Sequence, residues 1–155
     1  MKKLSTSVSQ TLKIGKLLAR NFREGEIILL SGSLGAGKTV LAKGIAQGLG
    51  IDKHNVVSPT FVLLRVYKGK FFLNHFDFYR LKSPKEILGL GYEEYFYSDA
   101  VTLIEWPERL KFLLPREFLK IKLVVKAKDS RLLEFTAKGK KYKQLLKKIH
   151  EDIRY

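Results

Sequence analysis

Gly32-Ser33-Leu34-Gly35-Ala36-Gly37-Lys38-Thr39 constrains this chain more than any other stretch. Its spacing is GxxxxGK(S/T), that of a phosphate-binding P-loop. Gly32, Gly35 and Gly37 allow tight turning, positive φ and close approach of backbone N–H groups to an anion. Lys38 supplies a point charge for β- and γ-phosphates, and Thr39 a hydroxyl for Mg²⁺. The flanks agree with the motif. Ile27-Ile28-Leu29-Leu30 is a short apolar run suited to a buried strand. Val40 to Leu49 carries apolar residues at helical spacing. Strand, glycine loop and helix in that order set a helix N-terminus behind bound phosphate.

A chain of 155 residues, 45% of them hydrophobic, can bury one core and is expected to form one domain over 1–155. It has no cysteine, hence no disulfide framework and no thiolate metal site. No apolar run approaches the roughly 20 residues of a membrane helix. Met1 to Ser7 lacks the apolar stretch of a signal peptide. A soluble cytoplasmic protein with no membrane association is the expectation. The net charge is +15, and it is uneven: residues 111–155 carry 14 basic and five acidic side chains, a net of +9. Such a segment suits nucleic acid, an acidic protein partner, or simply a solvated lysine-rich surface.

The periodicity predicts a helix over 8–22, the P-loop strand, a helix over 37–49 and a stop at Gly50. Ser58-Pro59-Thr60 breaks the pattern. Strands over Phe61–Tyr67 and Phe71–Asp77, joined at Lys68-Gly69-Lys70, read as an antiparallel hairpin. Ser83-Pro84-Lys85-Glu86 is a capping box with Pro at the first helical position. A further helical turn is expected over 92–96, a buried strand over Ala100–Ile104 and a short helix after Pro107. Phe118–Val125 and Arg131–Thr136 form a second expected hairpin, and 139–153 an amphipathic helix. The expected fold is α/β, a three-layer P-loop NTPase-like domain with a mixed parallel and antiparallel sheet.

Two acids can complete the site. Glu105 ends the apolar run Ala100–Ile104, and Asp77 ends Phe72–Phe76. Strand C-termini face the ligand crevice of α/β sheets, although either carboxylate can equally cap a turn or pair with an arginine. Trp106 can pack in the core or stack on a ligand. His75 can act as a base or serve structurally. Ser58 and Thr60 can form a switch loop or a bare turn. No NKxD, TKxD or LSGGQ motif occurs, which favours ATP over GTP.

Four motifs in one order carry a family resemblance: the P-loop, Ser58-Pro59-Thr60-Phe61, His75-Phe76-Asp77-Phe78-Tyr79-Arg80 and Leu103-Ile104-Glu105-Trp106. They resemble the TsaE (YjeE) family, whose typical pattern is GDLGAGKT, SPTF, HxDxYR and (L/I)EW, over about residues 5–140. The resemblance implies a Mg²⁺-dependent ATPase that assists TsaB and TsaD in making threonylcarbamoyladenosine in tRNA, next to the anticodon. Under it, Lys38 contacts phosphates, Thr39 and Glu105 hold Mg²⁺, and Asp77 is catalytic or orients water. Thr60 and Trp106 lie near the nucleotide, and Ser7 and Thr11 near adenine. The expected nucleotide-binding set also includes Gly32, Gly35, Ala36, Gly37 and Val40. Ser33 departs from the pattern, because the family usually has Asp there. Two other readings stand beside this one. A small P-loop metabolite kinase would need a lid with several arginines, yet only Arg65 and Arg80 lie between the P-loop and Glu105. A nucleotide-gated RNA-binding module would use the basic C-terminal region.

Overall fold

The computed structural model describes residues 1–154; Tyr155, the last residue of the expected domain, lies outside the described residues. The strands are β1 (Lys2–Ser5), β2 (Ile27–Ser31), β3 (Leu64–Lys68), β4 (Phe72–Asp77), β5 (Val101–Glu105), β6 (Phe118–Val125) and β7 (Arg131–Lys138). The helices are α1 (Val8–Ala19), α2 (Lys38–Gly48), α3 (Pro84–Leu88), α4 (Tyr92–Phe96) and α5 (Lys140–Asp152), with 3-10 segments at Lys53–Asn55 and Pro107–Leu113. No helix among the described residues is long and apolar enough to cross a membrane.

One seven-stranded sheet runs in the order β1-β7-β6-β2-β5-β4-β3. Its centre is parallel: β2 pairs with β5 and β6, and β5 with β4. Both edges are antiparallel, through β3 on β4 and through β7 and β1 beyond β6. β2 is buried along its whole length, which explains its unbroken apolar run. The expected mixed sheet is therefore present. One core packs α1, α2 and α5 on one face, around Leu18, Ile45 and Ile149. A second packs α3, α4 and the Pro107–Leu113 segment on the other, around Phe76, Phe96 and Leu110.

Four features differ from the sequence reading. The first helix ends at Ala19, because Asn21 N–H and Phe22 N–H close back onto Leu18 and Ala19 carbonyls and swing Phe22 into the core. The hairpin strand starts at Leu64 instead of Phe61: Val62 and Leu63 N–H both bond the Pro59 carbonyl, and Leu63 takes φ 68°. Phe61 is left 82% exposed. The last strand runs on to Lys138, held by pairing with Phe118. β1 has no counterpart in the sequence reading; its four residues are too few to show a period and gain their order by pairing with β7.

Glycines set how closely α2 sits on α1. A Cβ on Gly15 would lie 2.7 Å from the Leu41 carbonyl oxygen, and one on Gly44 would collide with the Leu12 carbonyl oxygen. Backbone cannot yield as a flexible side chain does. Gly44→Ala is therefore expected to lower stability by about 1–3 kcal/mol, despite alanine's better helix propensity. Chemical denaturation of the two proteins measures this, and equal or greater stability of the variant would contradict the account.

Candidate nucleotide site

The loop between β2 and α2 adopts the conformation its glycines permit. Gly32, Gly35 and Gly37 have φ of 146°, 75° and 103°. At Gly32 a Cβ would stand 2.6 Å from the Leu123 carbonyl oxygen, so only glycine fits there. Ala36 is fully buried, and its carbonyl accepts a 2.9 Å hydrogen bond from Arg131 Nε at the start of β7. This brace spans 95 positions of sequence, and no local signal announces it.

Lys38 opens α2 and is folded back over its own loop. Its Nζ donates to the carbonyls of Gly32 (2.7 Å) and Ser33 (2.9 Å) and lies 4.4 Å from the centroid of the Trp106 ring. Burial pushes the lysine pKa down, and the carboxylates of Glu105, Asp77 and Glu108 oppose that shift. Ser33, exposed, gives Lys38 only its carbonyl.

The two acids are brought side by side. β4 and β5 are parallel neighbours, and their register pairs Asp77 with Glu105, each the last residue of its strand. β5 also lies beside β2, with Glu105 opposite Leu30. Both carboxylates therefore emerge at the end of the sheet where the loop begins. Glu105 Oε1 accepts a 3.2 Å hydrogen bond from Thr39 Oγ1. Asp77 Oδ2 accepts from Thr60 Oγ1 at 2.6 Å, and Oδ1 from the Tyr79 N–H at 2.9 Å. Thr60 Oγ1 and Ser58 Oγ lie 2.7 Å apart, so the Ser58-Pro59-Thr60 turn is tied to the acid.

A cleft of about 380 Å³ lies between these groups. Of the expected set, Gly35, Gly37, Lys38, Thr39, Val40, Thr60, Asp77, Glu105 and Trp106 line it, and Ser58 and Tyr79 join them. Trp106, at φ 58°, packs its ring 4.9 Å from that of Tyr79. Gly32 and Ala36 shape the loop without lining the cleft. Ser7 and Thr11 are not among its walls. Ser7 Oγ caps α1 by accepting from Gln10 N–H, and the buried Thr11 hydroxyl lies 2.8 Å from Ser5 Oγ.

His75 lies behind the cleft, fully buried, with Nε2 3.5 Å from Glu105 Oε1. Neither ring nitrogen has a hydrogen-bond partner. Its place behind a strand-end acid follows from pleat and register, which sequence spacing alone does not disclose. Larger hollows exist, such as one of about 520 Å³ between Val66, Phe72 and Tyr95, but that one has no P-loop residue in its wall.

The parallel-centred sheet, the glycine loop and the acids at adjacent strand ends define a P-loop α/β fold. The family model "Threonylcarbamoyl adenosine biosynthesis protein TsaE" matches residues 5–133. The tRNA threonylcarbamoyladenosine biosynthesis protein TsaE of Bacillus subtilis is 40% identical over 147 residues, 93% of this chain and 91% of that protein. The protein of the same description from Treponema pallidum is 41% identical over 131 residues, 84% of this chain and 96% of its own length. The crystal structure of Bacillus subtilis YdiB superposes with a TM-score of 0.85 at 34% identity, covering 97% of this chain and 94% of that one. The chain belongs to the TsaE family.

Proposed function

We propose that this chain is a Mg²⁺-dependent ATPase of tRNA threonylcarbamoyladenosine biosynthesis, acting in the cytoplasm beside TsaB and TsaD as one ATPase domain. The observation that carries this reading is the convergence of Lys38, Thr39, Asp77 and Glu105 on one cleft beside the glycine loop. The loop suits phosphate, because Gly32, Gly35 and Gly37 all hold positive φ, the backbone form in which successive N–H groups can make an anion-binding nest. Mg²⁺ fits the donors Thr39 and Glu105, a hydroxyl and a carboxylate. No group of three or more His, Cys, Asp or Glu side chains among the described residues forms a metal cage. That suits Mg²⁺, which is commonly held by one or two protein oxygens together with phosphates and water.

In this reading Lys38 releases its two carbonyl partners and meets the β- and γ-phosphates. Thr39 and Glu105 would hold Mg²⁺, and the ion would supply positive charge beside the phosphate oxygens. Asp77, fixed by Thr60 and the Tyr79 N–H, orients the attacking water and accepts its proton. Trp106 and Val40 pack beside the nucleotide. Ser7 and Thr11 enter as adenine-side residues on the resemblance alone, since both side chains are engaged in the turn that opens α1. ATP is favoured over GTP because no guanine-reading motif occurs.

Reconstitution with TsaB, TsaD, unmodified tRNA and ATP tests the proposal. Repeated rounds of modification should require this chain and stop when ATP is replaced by a non-hydrolysable analogue. Equal repeated turnover without the chain would overturn the role.

A further inference from the structure

We infer that a basic groove between α5 and the β1 edge of the sheet binds the phosphodiester backbone of RNA. The groove encloses about 420 Å³. Its walls carry Lys143, Lys147 and His150, with Lys2 at the β1 edge, where Glu134 pairs with the Lys2 ammonium, over a floor that includes Met1 and Leu146. Positions 143, 147 and 150 follow helical spacing and form one exposed stripe of α5, while Tyr142, Leu145 and Ile149 are buried against the core. Among the described residues the only lysine or arginine within 4.0 Å of a carboxylate is Lys2, at 3.1 Å from Glu134, so the lysines of the stripe form no ion pair. The acids nearest in sequence, Glu151 and Asp152, end the helix, and Asp152 accepts from Asn21 Nδ2 at 2.6 Å.

Lysine chemistry selects RNA over an acidic protein. The centres of protein interfaces are rich in aromatic residues and arginine and poor in lysine. The polar side chains lining this groove are lysine and histidine, without arginine, tyrosine, tryptophan or phenylalanine. Lysines meet a phosphate backbone as point charges and release its counterions, a sequence-independent attraction. The net charge of +9 over residues 111–155 would also attract a polyanion to the chain. The groove is remote from the nucleotide cleft. β7 starts beside the loop at Arg131 and runs away from it, which puts Ala137 about 20 Å further along the strand. The inference rests on the proposed function only in the choice of tRNA as probe.

The test measures binding of an unmodified tRNA transcript to the full chain by fluorescence anisotropy, at about 50 and 200 mM salt. The wild type should bind, and its affinity should fall at least about tenfold between the two salts. Lys143→Glu with Lys147→Glu should weaken binding at least about tenfold and flatten the salt dependence. Lys143→Gln with Lys147→Gln should act in the same direction with a smaller loss. ADP binding should be unchanged in both, which separates failure here from failure of the nucleotide site. Lys82→Glu with Lys85→Glu, an equal charge change on exposed positions near α3, should cost much less. Wild-type RNA affinity in the groove variants would overturn the inference. So would an equal loss in the α3 pair, or loss of TsaB–TsaD binding with RNA affinity intact.

Discussion

Asp77→Asn is expected to bind ATP almost as tightly as the wild type and to hydrolyse it about 10²–10⁴-fold more slowly. The geometry separates this acid from its neighbour. Asp77 is held by Thr60 Oγ1 and the Tyr79 N–H, and neither contact involves the loop. Asparagine keeps an acceptor oxygen for one of these donors but cannot take a proton from water. Glu105 instead accepts from Thr39, the residue next to Lys38 at the start of α2. Glu105→Gln should therefore weaken the Mg²⁺ dependence of ATP binding as well as hydrolysis. Both variants should fold, since each carboxylate, although buried, borders the cleft and the amide keeps its size. Parallel calorimetry and ATPase assays with TsaB and TsaD present, with Mg²⁺ titrated, distinguish them. Loss of ATP binding in Asp77→Asn, with normal hydrolysis by Glu105→Gln, would mean that the two roles are reversed.

Much of this site is legible in the sequence because its parts are local. The glycine loop, its strand and its helix are contiguous, so pattern and context can be checked together. Glu105 and Asp77 are legible because each ends an apolar run, and a parallel sheet gathers such ends on one side. What joins the parts is not legible. The Thr60–Asp77 bond depends on Pro59 turning the chain so that the strand starts three residues later than its β-prone letters suggest. The approach of His75 to Glu105 depends on strand register, and the Arg131 brace on the second hairpin folding against the loop. β1 carries no period of its own and exists through its partner β7. Tertiary pairing decides each of these.

Lys38→Ala should leave the fold in place and remove a charge-assisted phosphate contact of about 1.5–3 kcal/mol. That corresponds to roughly a 10- to 150-fold loss of ATP affinity. The lysine is buried, and its ammonium is satisfied by two loop carbonyls before phosphate arrives. Leaving those carbonyls offsets part of the gain on binding. Lys38→Met, which keeps the aliphatic bulk against Trp106, should lose affinity to a similar extent, because charge and not packing makes the contact. Unchanged ATP affinity in either variant would remove Lys38 from the site.

The most direct test is a calorimetric titration of ATP into the wild-type chain, once with Mg²⁺ and once with EDTA. One ATP should bind per chain, more tightly with Mg²⁺, and ADP should compete for the same site. No binding heat in either titration, or equal affinity in both, would contradict a Mg²⁺-nucleotide site in this cleft.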